Sequence, residues 1–304
     1  MSSRELVVLG TASQVPTRDR AHHAALLRFD DEVVLFDPGE GTQRQLIHAG
    51  VSASSLSRIC ITHAHGDHCL GLPGVLQRCS LDGRAAPIEV HYPTAAGPYI
   101  ERLRYATPFE EVTPVTLQAA EPGPVHIDGD LRLRAAALSH AVPTLGWRLE
   151  EPDGRRLLPD RAAELGIHGA ARSELLATGS ITLAGRRIHV EQVTVPRPGQ
   201  HVAFVMDTRW CDGALELAAA VDLLVVEATF LTSERDLAEE AGHLTAAQAA
   251  ELGRDAGARR VVLTHFSQRY PDLTGHLEEA RAAAPDLDLV VASDLQRVAL
   301  PSRA

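Results

Sequence analysis

Ile61-Thr62-His63-Ala64-His65-Gly66-Asp67-His68 stands where a short apolar run, Ile59 to Ile61, gives way to polar residues. The run reads as a strand, and the loop after it begins at the strand's end. In extended backbone, residues two apart project to the same side, so His63 and His65 can turn both imidazoles toward one ion. Asp67 and His68 follow the Gly66 turn and can face a second ion beside the first. Imidazole nitrogens and carboxylate oxygens at such a site suit zinc, held at roughly 2.0–2.2 Å. A single histidine is usually a core or surface residue, whereas three histidines and an aspartate between positions 63 and 68 are hard to explain structurally.

Two ions need more ligands than one loop supplies, and the same chemistry recurs at other strand ends. His140 follows the apolar stretch Leu131 to Leu138, Asp207 follows Val202 to Met206, and His265 lies just past Val261 to Leu263. Binding residues in α/β proteins gather at the carboxyl edge of strands. Each of the three alone could be structural; with the loop they complete a set of seven.

Working outward, apolar runs at Leu6 to Leu9, Val33 to Phe36 and Leu223 to Val226 also read as strands, several of them buried. Ala- and Leu-rich segments of helical spacing lie between them, notably Gly213 to Ala220, Thr245 to Ala256 and His276 to Ala284, so the alternation indicates α/β architecture. Thr245 with Gln248 three residues on forms a capping box at the start of one helix. The stretch 151–199 is rich in turns, proline and charge without a strong apolar period, and reads as an excursion within a single domain, 1–304.

With 304 residues, 45% of them hydrophobic and only 4% aromatic, the chain can build a large core mainly from Val, Leu, Ile and Ala. No run approaches the roughly 18 apolar residues of a membrane span, and the N-terminus leads directly into a strand, so a cytoplasmic protein without a membrane partner is expected. Cys60, Cys69, Cys79 and Cys211 show no CxxC spacing and read as reduced thiols. The net charge of −11 argues against nucleic acid on its face. All 29 basic residues are arginine, however, and guanidinium forks can hold phosphate locally against an unfavourable global charge.

The loop, the later His, Asp and His, and Asp37-Pro38-Gly39-Glu40-Gly41-Thr42-Gln43 after the strand Val33 to Phe36 together resemble the ribonuclease Z family of the metallo-β-lactamase superfamily. Val226-Glu227-Ala228-Thr229-Phe230, Gly242-His243-Leu244-Thr245 and Thr264-His265-Phe266-Ser267-Gln268-Arg269-Tyr270 are similar to that family too, and stand in its order. The resemblance implies an αββα sandwich with a protruding arm, two zinc ions per chain, a homodimer, and removal of the 3′ trailer from precursor tRNA.

Carried onto this sequence, the family's pattern gives one zinc to His63, His65 and His140 and the other to Asp67, His68 and His265, with Asp207 bridging. Asp37 would orient a loop histidine. Asp67 is a candidate acceptor for the proton of the attacking water. His243, paired with Glu227, would protonate the leaving oxygen, and Ser267 and Arg269 would face a phosphate. The excursion occupies the place of the family's tRNA-gripping arm, where Arg155, Arg156 and Arg172 are candidate contacts. Here the sequence departs from the pattern: it has Gly166-Ile167-His168-Gly169-Ala170 in place of a Gly-Pro pair, and no lysine. Two other readings use the same residues, a hydrolase of small phosphodiesters or other esters and a tRNA-binding relative without catalysis.

Overall fold

The computed structural model describes residues 4–127 and 129–303. They form two units. One comprises the described residues up to Glu150 together with His201–Ser302, and the other Glu151–Gln200 with Arg303.

The first unit contains, among the described residues, two seven-stranded sheets. In spatial order the first runs Arg297–Ala299, Glu5–Gly10, Ala24–Phe29, Glu32–Phe36, Arg58–Cys60, Ile88–Pro93 and Val115–Ala120. The second runs Asp288–Val291, Arg260–Thr264, Leu223–Glu227, His201–Val205, Thr144–Glu150, Arg132–Leu138 and Gly123–Val125. Alternation along the strands explains the layering. Leu6 and Val8 join one cluster with Phe36, Trp147, Phe204 and Val225, drawn from both sheets, while Val7 and Leu9 belong to a second cluster with Leu72, Val75 and Ile100 of the covering helices. Likewise Phe204 and Val225 face the other sheet, and Val205, Leu224 and Val226 pack on the helices Asp212–Ala218, Ala246–Asp255 and Thr274–Ala283. The result is an αββα sandwich. Covering both faces of each sheet is why the strands read as unbroken apolar runs rather than alternating ones.

Phe36 and Phe204 stack at the centre with ring centroids 3.5 Å apart. The capping box forms as its spacing suggests: Gln248 N donates to Thr245 Oγ1 at 3.2 Å, and Thr245 N to Gln248 Oε1 at 3.0 Å. The four cysteines are free.

The second unit has more order than its sequence suggests. Strands Gly154–Leu157 and Thr194–Arg197 pair, two helices span Pro159–Glu164 and Ala170–Thr178, and Ser180–Leu183 forms a hairpin with Arg186–His189. Ala162, Ile167, Leu175, Ile181, Ile188, Val190 and Val193 make a small core of its own.

Candidate metal centre

Strand ends deliver the candidate ligands. The strand Arg58–Cys60 ends two residues before Thr62, and His63 and His65 follow, the latter in extended backbone, before a short helix, Gly66–Cys69, carries Asp67 and His68. Asp37 follows Glu32–Phe36 in the same sheet. From the other sheet, Arg132–Leu138 leads to His140, His201–Val205 to Asp207, and Arg260–Thr264 to His265. Asp37 and His265 hold left-handed backbone, φ 47° and 62°, which costs a residue other than glycine roughly 1–2 kcal/mol. Gly39, in the Asp37 motif, lies against the ligand loop so closely that a Cβ there would fall 2.2 Å from the Asp67 carbonyl.

Two clusters of donor atoms result. His63, His65 and His140 form the first, and Asp67, His68, Asp207 and His265 the second, the ligand atoms of each within 4.8 Å of one another. His63 Nε2 is 2.9 Å from His65 Nδ1, which is 3.3 Å from His140 Nε2. In the second cluster His68 Nε2 lies 3.2 Å from both His265 Nε2 and Asp207 Oδ2, and 3.4 Å from Asp67 Oδ2. Asp207 Oδ2 also comes to 3.8 Å from His63 Nε2, so its carboxylate stands between the clusters. A tetrahedral ion with bonds of about 2.0–2.2 Å has ligand-to-ligand edges of about 3.3–3.6 Å, and these separations bracket that range. Asp207 Oδ1 is buried and accepts no hydrogen bond among the described residues, an acceptor left for a cation. The donor set fits zinc.

Each ligand imidazole except His65 turns Nε2 inward by committing Nδ1 elsewhere. His68 Nδ1 donates to Asp37 Oδ2 at 2.9 Å. His63 Nδ1 donates to Thr62 Oγ1 at 3.0 Å, and that hydroxyl donates to Asp37 Oδ2 at 2.7 Å. His265 Nδ1 donates to Thr229 Oγ1 at 3.0 Å, which donates to Glu227 Oε2 at 2.6 Å. His140 Nδ1 donates to the Gly242 carbonyl at 2.9 Å. Such outer partners select the tautomer and orient the ring. Burial raises the Asp67 and Asp207 carboxyls, but the facing histidines overcome it and hold both well below the usual range. Burial and the neighbouring His68 push the His63 imidazole down, in the direction a neutral ligand needs.

The motifs 37–43, 226–230, 242–245 and 264–270 thus converge on one centre. Residues 17–159 match the model of the metallo-beta-lactamase superfamily and residues 178–266 that of a beta-lactamase superfamily domain. A ribonuclease Z from Nocardia farcinica is 55% identical over 305 residues, spanning 100% of both chains. Another from Salinispora arenicola is 53% identical over 309 residues, 100% of this chain and 98% of the relative. The chain belongs to the ribonuclease Z family. The crystal structure of human tRNase Z, short form, superposes with a TM-score of 0.70 at 26% identity, over 98% of this chain and 99% of that one, so the αββα sandwich is the metallo-β-lactamase fold.

Around the ligands of this ribonuclease Z family member lies a cavity of about 310 Å³. Ser13, Gln14, Phe230, Ser267 and Arg269 line it together with His243. His243 Nδ1 lies 3.1 Å from both oxygens of Glu227, which is fully buried and also accepts from Thr208 N at 2.6 Å and Leu244 N at 3.1 Å. Burial opposes charge on the His243 imidazole, but Glu227 and Asp207 outweigh it and raise the pKa to about 9. Ser267 is buried at the cavity wall, and the Arg269 guanidinium is half exposed, 3.8 Å from Glu234. Arg155, Arg156 and Arg172 belong to the other unit, where Arg155 Nε donates to Thr194 Oγ1 at 2.6 Å and Arg172 Nε to the Ile167 carbonyl at 3.2 Å.

Sequence reasoning missed Thr62 and Thr229, although both flank ligands inside the quoted motifs. It also missed His23, fully buried with neither ring nitrogen hydrogen-bonded among the described residues and its ring 5.7 Å from that of His68 and 5.9 Å from that of His265. The pair His22-His23 was the available signal, but it lies in no ligand spacing.

Proposed function

We propose that the chain is a two-zinc endoribonuclease that removes the 3′ trailer from precursor tRNA by phosphodiester hydrolysis. His63, His65 and His140 would hold one ion, Asp67, His68 and His265 the other, and Asp207 both. The observation that carries the reading is the Glu227–His243 pair, 3.1 Å apart, whose imidazole lines the same cavity as members of both donor clusters.

Zinc, when bound, supplies positive charge against the phosphoryl oxygens and acidifies water. The chain's own groups handle the protons. Asp67 stands ionised among the ligands and takes the proton of the attacking water. His243, protonated through the Glu227 carboxylate, delivers its proton to the departing 3′ oxygen. The water oxygen bonds to phosphorus as the bond from phosphorus to the 3′ oxygen breaks, leaving a tRNA with a 3′ hydroxyl and a trailer with a 5′ phosphate. Ser267 and Arg269 face the phosphate from the cavity wall, and Asp37 orients His68.

The residues 151–199 form the arm that grips tRNA, with Arg155, Arg156 and Arg172 as phosphate contacts, and the enzyme works as a homodimer in the cytoplasm. No helix among the described residues is long and apolar enough to cross a membrane. Replacing His243 with Ala is the test. The variant should retain two zinc ions per chain while kcat on a trailer-bearing precursor tRNA falls by roughly 10²- to 10⁴-fold. Loss of metal would make His243 a ligand instead, and undiminished turnover would remove it from the mechanism.

A further inference from the structure

His243 owes its position to the segment before it. The helix Arg235–Ala241 has seven residues, of which Ala238 alone is buried. So small an apolar anchor cannot hold a helix end in place by packing. Its last carbonyls have no partners within the helix. The Ala238 carbonyl accepts from Gly242 N at 2.9 Å and His243 N at 2.8 Å, and Gly242 closes the helix in left-handed backbone, φ 84°.

The next two carbonyls go to one side chain. Arg209 Nε donates to the Glu239 carbonyl at 2.6 Å and Nη2 to the Glu240 carbonyl at 3.2 Å, while Nη1 reaches the Ser139 carbonyl at 3.4 Å. Arg209 N also donates to Ser139 O, at 2.9 Å. Ser139 precedes the ligand His140, and Arg209 comes two residues after Asp207. One guanidinium therefore joins the segments that carry His140 and Asp207 to the end of the helix that leads into His243. Gly242 occupies the narrow space between them: a Cβ there would lie 2.8 Å from His140 Nδ1 and 3.3 Å from Arg209 Nη1. An ordinary surface ion pair does not account for this. The Glu239 carboxylate is 68% exposed and 3.4 Å from the guanidinium, whereas the close contacts are with carbonyls.

We propose that Arg209 is a positioning residue for the leaving-group acid, holding the Gly242–His243 turn at the height from which His243 reaches the departing oxygen. The proposal rests on the reading of His243 as that acid. A displacement of about 1 Å at a reacting group can cost on the order of 10²-fold. Arg209→Ala is accordingly expected to lower kcat by about 10- to 100-fold at saturating zinc with little change in KM. Arg209→Lys should lose most of the same factor, since one ammonium cannot serve three carbonyls as a planar fork does.

The deciding experiment is the double-mutant cycle with His243→Ala, read as kcat on precursor tRNA at saturating zinc. If Arg209 acts through His243, removing it from the His243→Ala enzyme should cost less than about threefold. Equal factors in the two backgrounds, or a rise in KM with kcat unchanged, would overturn the proposal and leave the acid role of His243 standing. An undiminished kcat in His243→Ala alone would overturn that role and this proposal with it. If Arg209→Ala does not fold, the same cycle with Arg209→Lys decides, and a fully active Lys variant would equally refute the clamp.

Discussion

Glu227→Gln changes the proton economy of the site more than its shape. Glu227 is the leading influence that raises His243 to about 9, burial and His68 working in the other direction. The amide removes that negative charge, so the imidazole should fall back toward its ordinary value of about 6.5. The sign follows from the role: the protonated imidazole is active, so a lower pKa moves the loss of activity to lower pH. At pH about 7.5, a group with a pKa near 9 is almost wholly protonated and one near 6.5 only to about a tenth, which gives a roughly tenfold loss of kcat. At pH about 6 the protonated fraction is above two thirds in both, and most of the loss should vanish. The assay is single-turnover cleavage of a precursor tRNA from about pH 6 to 9.5, with zinc content measured at each point. A loss of equal size at every pH would refute the electrostatic argument and leave Glu227 as a purely orienting group. The Gln amide must also face the donors Thr208 N, Thr229 Oγ1 and Leu244 N, so a stability loss of roughly 1–3 kcal/mol is expected in denaturant titration.

Asp207→Ala should be the most damaging ligand change, since Asp207 alone stands between the clusters; metal analysis should show both ions lost, and retention of one would make the carboxylate a ligand of a single ion. Thr229→Val breaks the relay from Glu227 to His265 while preserving shape, and should weaken zinc binding by roughly 10- to 100-fold in competition with a chelator. Excising 152–199 and closing the gap with a short glycine turn should weaken precursor tRNA binding and flatten its salt dependence, because fewer phosphate contacts release fewer counterions. Hydrolysis of a small phosphodiester should survive that excision, and its loss would mean the segment is needed for the fold.

The two donor clusters were legible as candidate ligands because metal chemistry restricts both residue type and place: His63, His65, Asp67, His68, His140, Asp207 and His265 all stand at strand ends that apolar runs disclose. Thr62 and Thr229 were not, since a hydroxyl beside a strand is commonplace and its orientation appears only in three dimensions. Arg209 was hidden for a different reason. Its partners are backbone carbonyls some 30 and 70 residues away, and a carbonyl has no residue type to read. The core of 151–200 is hidden in the sequence because Ala162, Ile167, Leu175, Ile181 and Ile188 are shared among two short helices, the turn between them and a hairpin, none long enough to show a period. The motifs 37–43 and 264–270 could be matched as strings, but why Gly39 must be glycine required the Asp67 carbonyl beside it.

Glu150 and His201 are partners on the antiparallel ladder that joins Thr144–Glu150 to His201–Val205. Everything between them is therefore, to the sandwich, the loop of a hairpin. A segment that departs and returns at one rung can change its length, charge or internal fold without shifting the register of His201–Val205, the strand that presents Asp207. The insert can thus diverge while the ladder holds the strand that presents Asp207 constant. In this chain the insert has no lysine and contributes none of the candidate metal ligands.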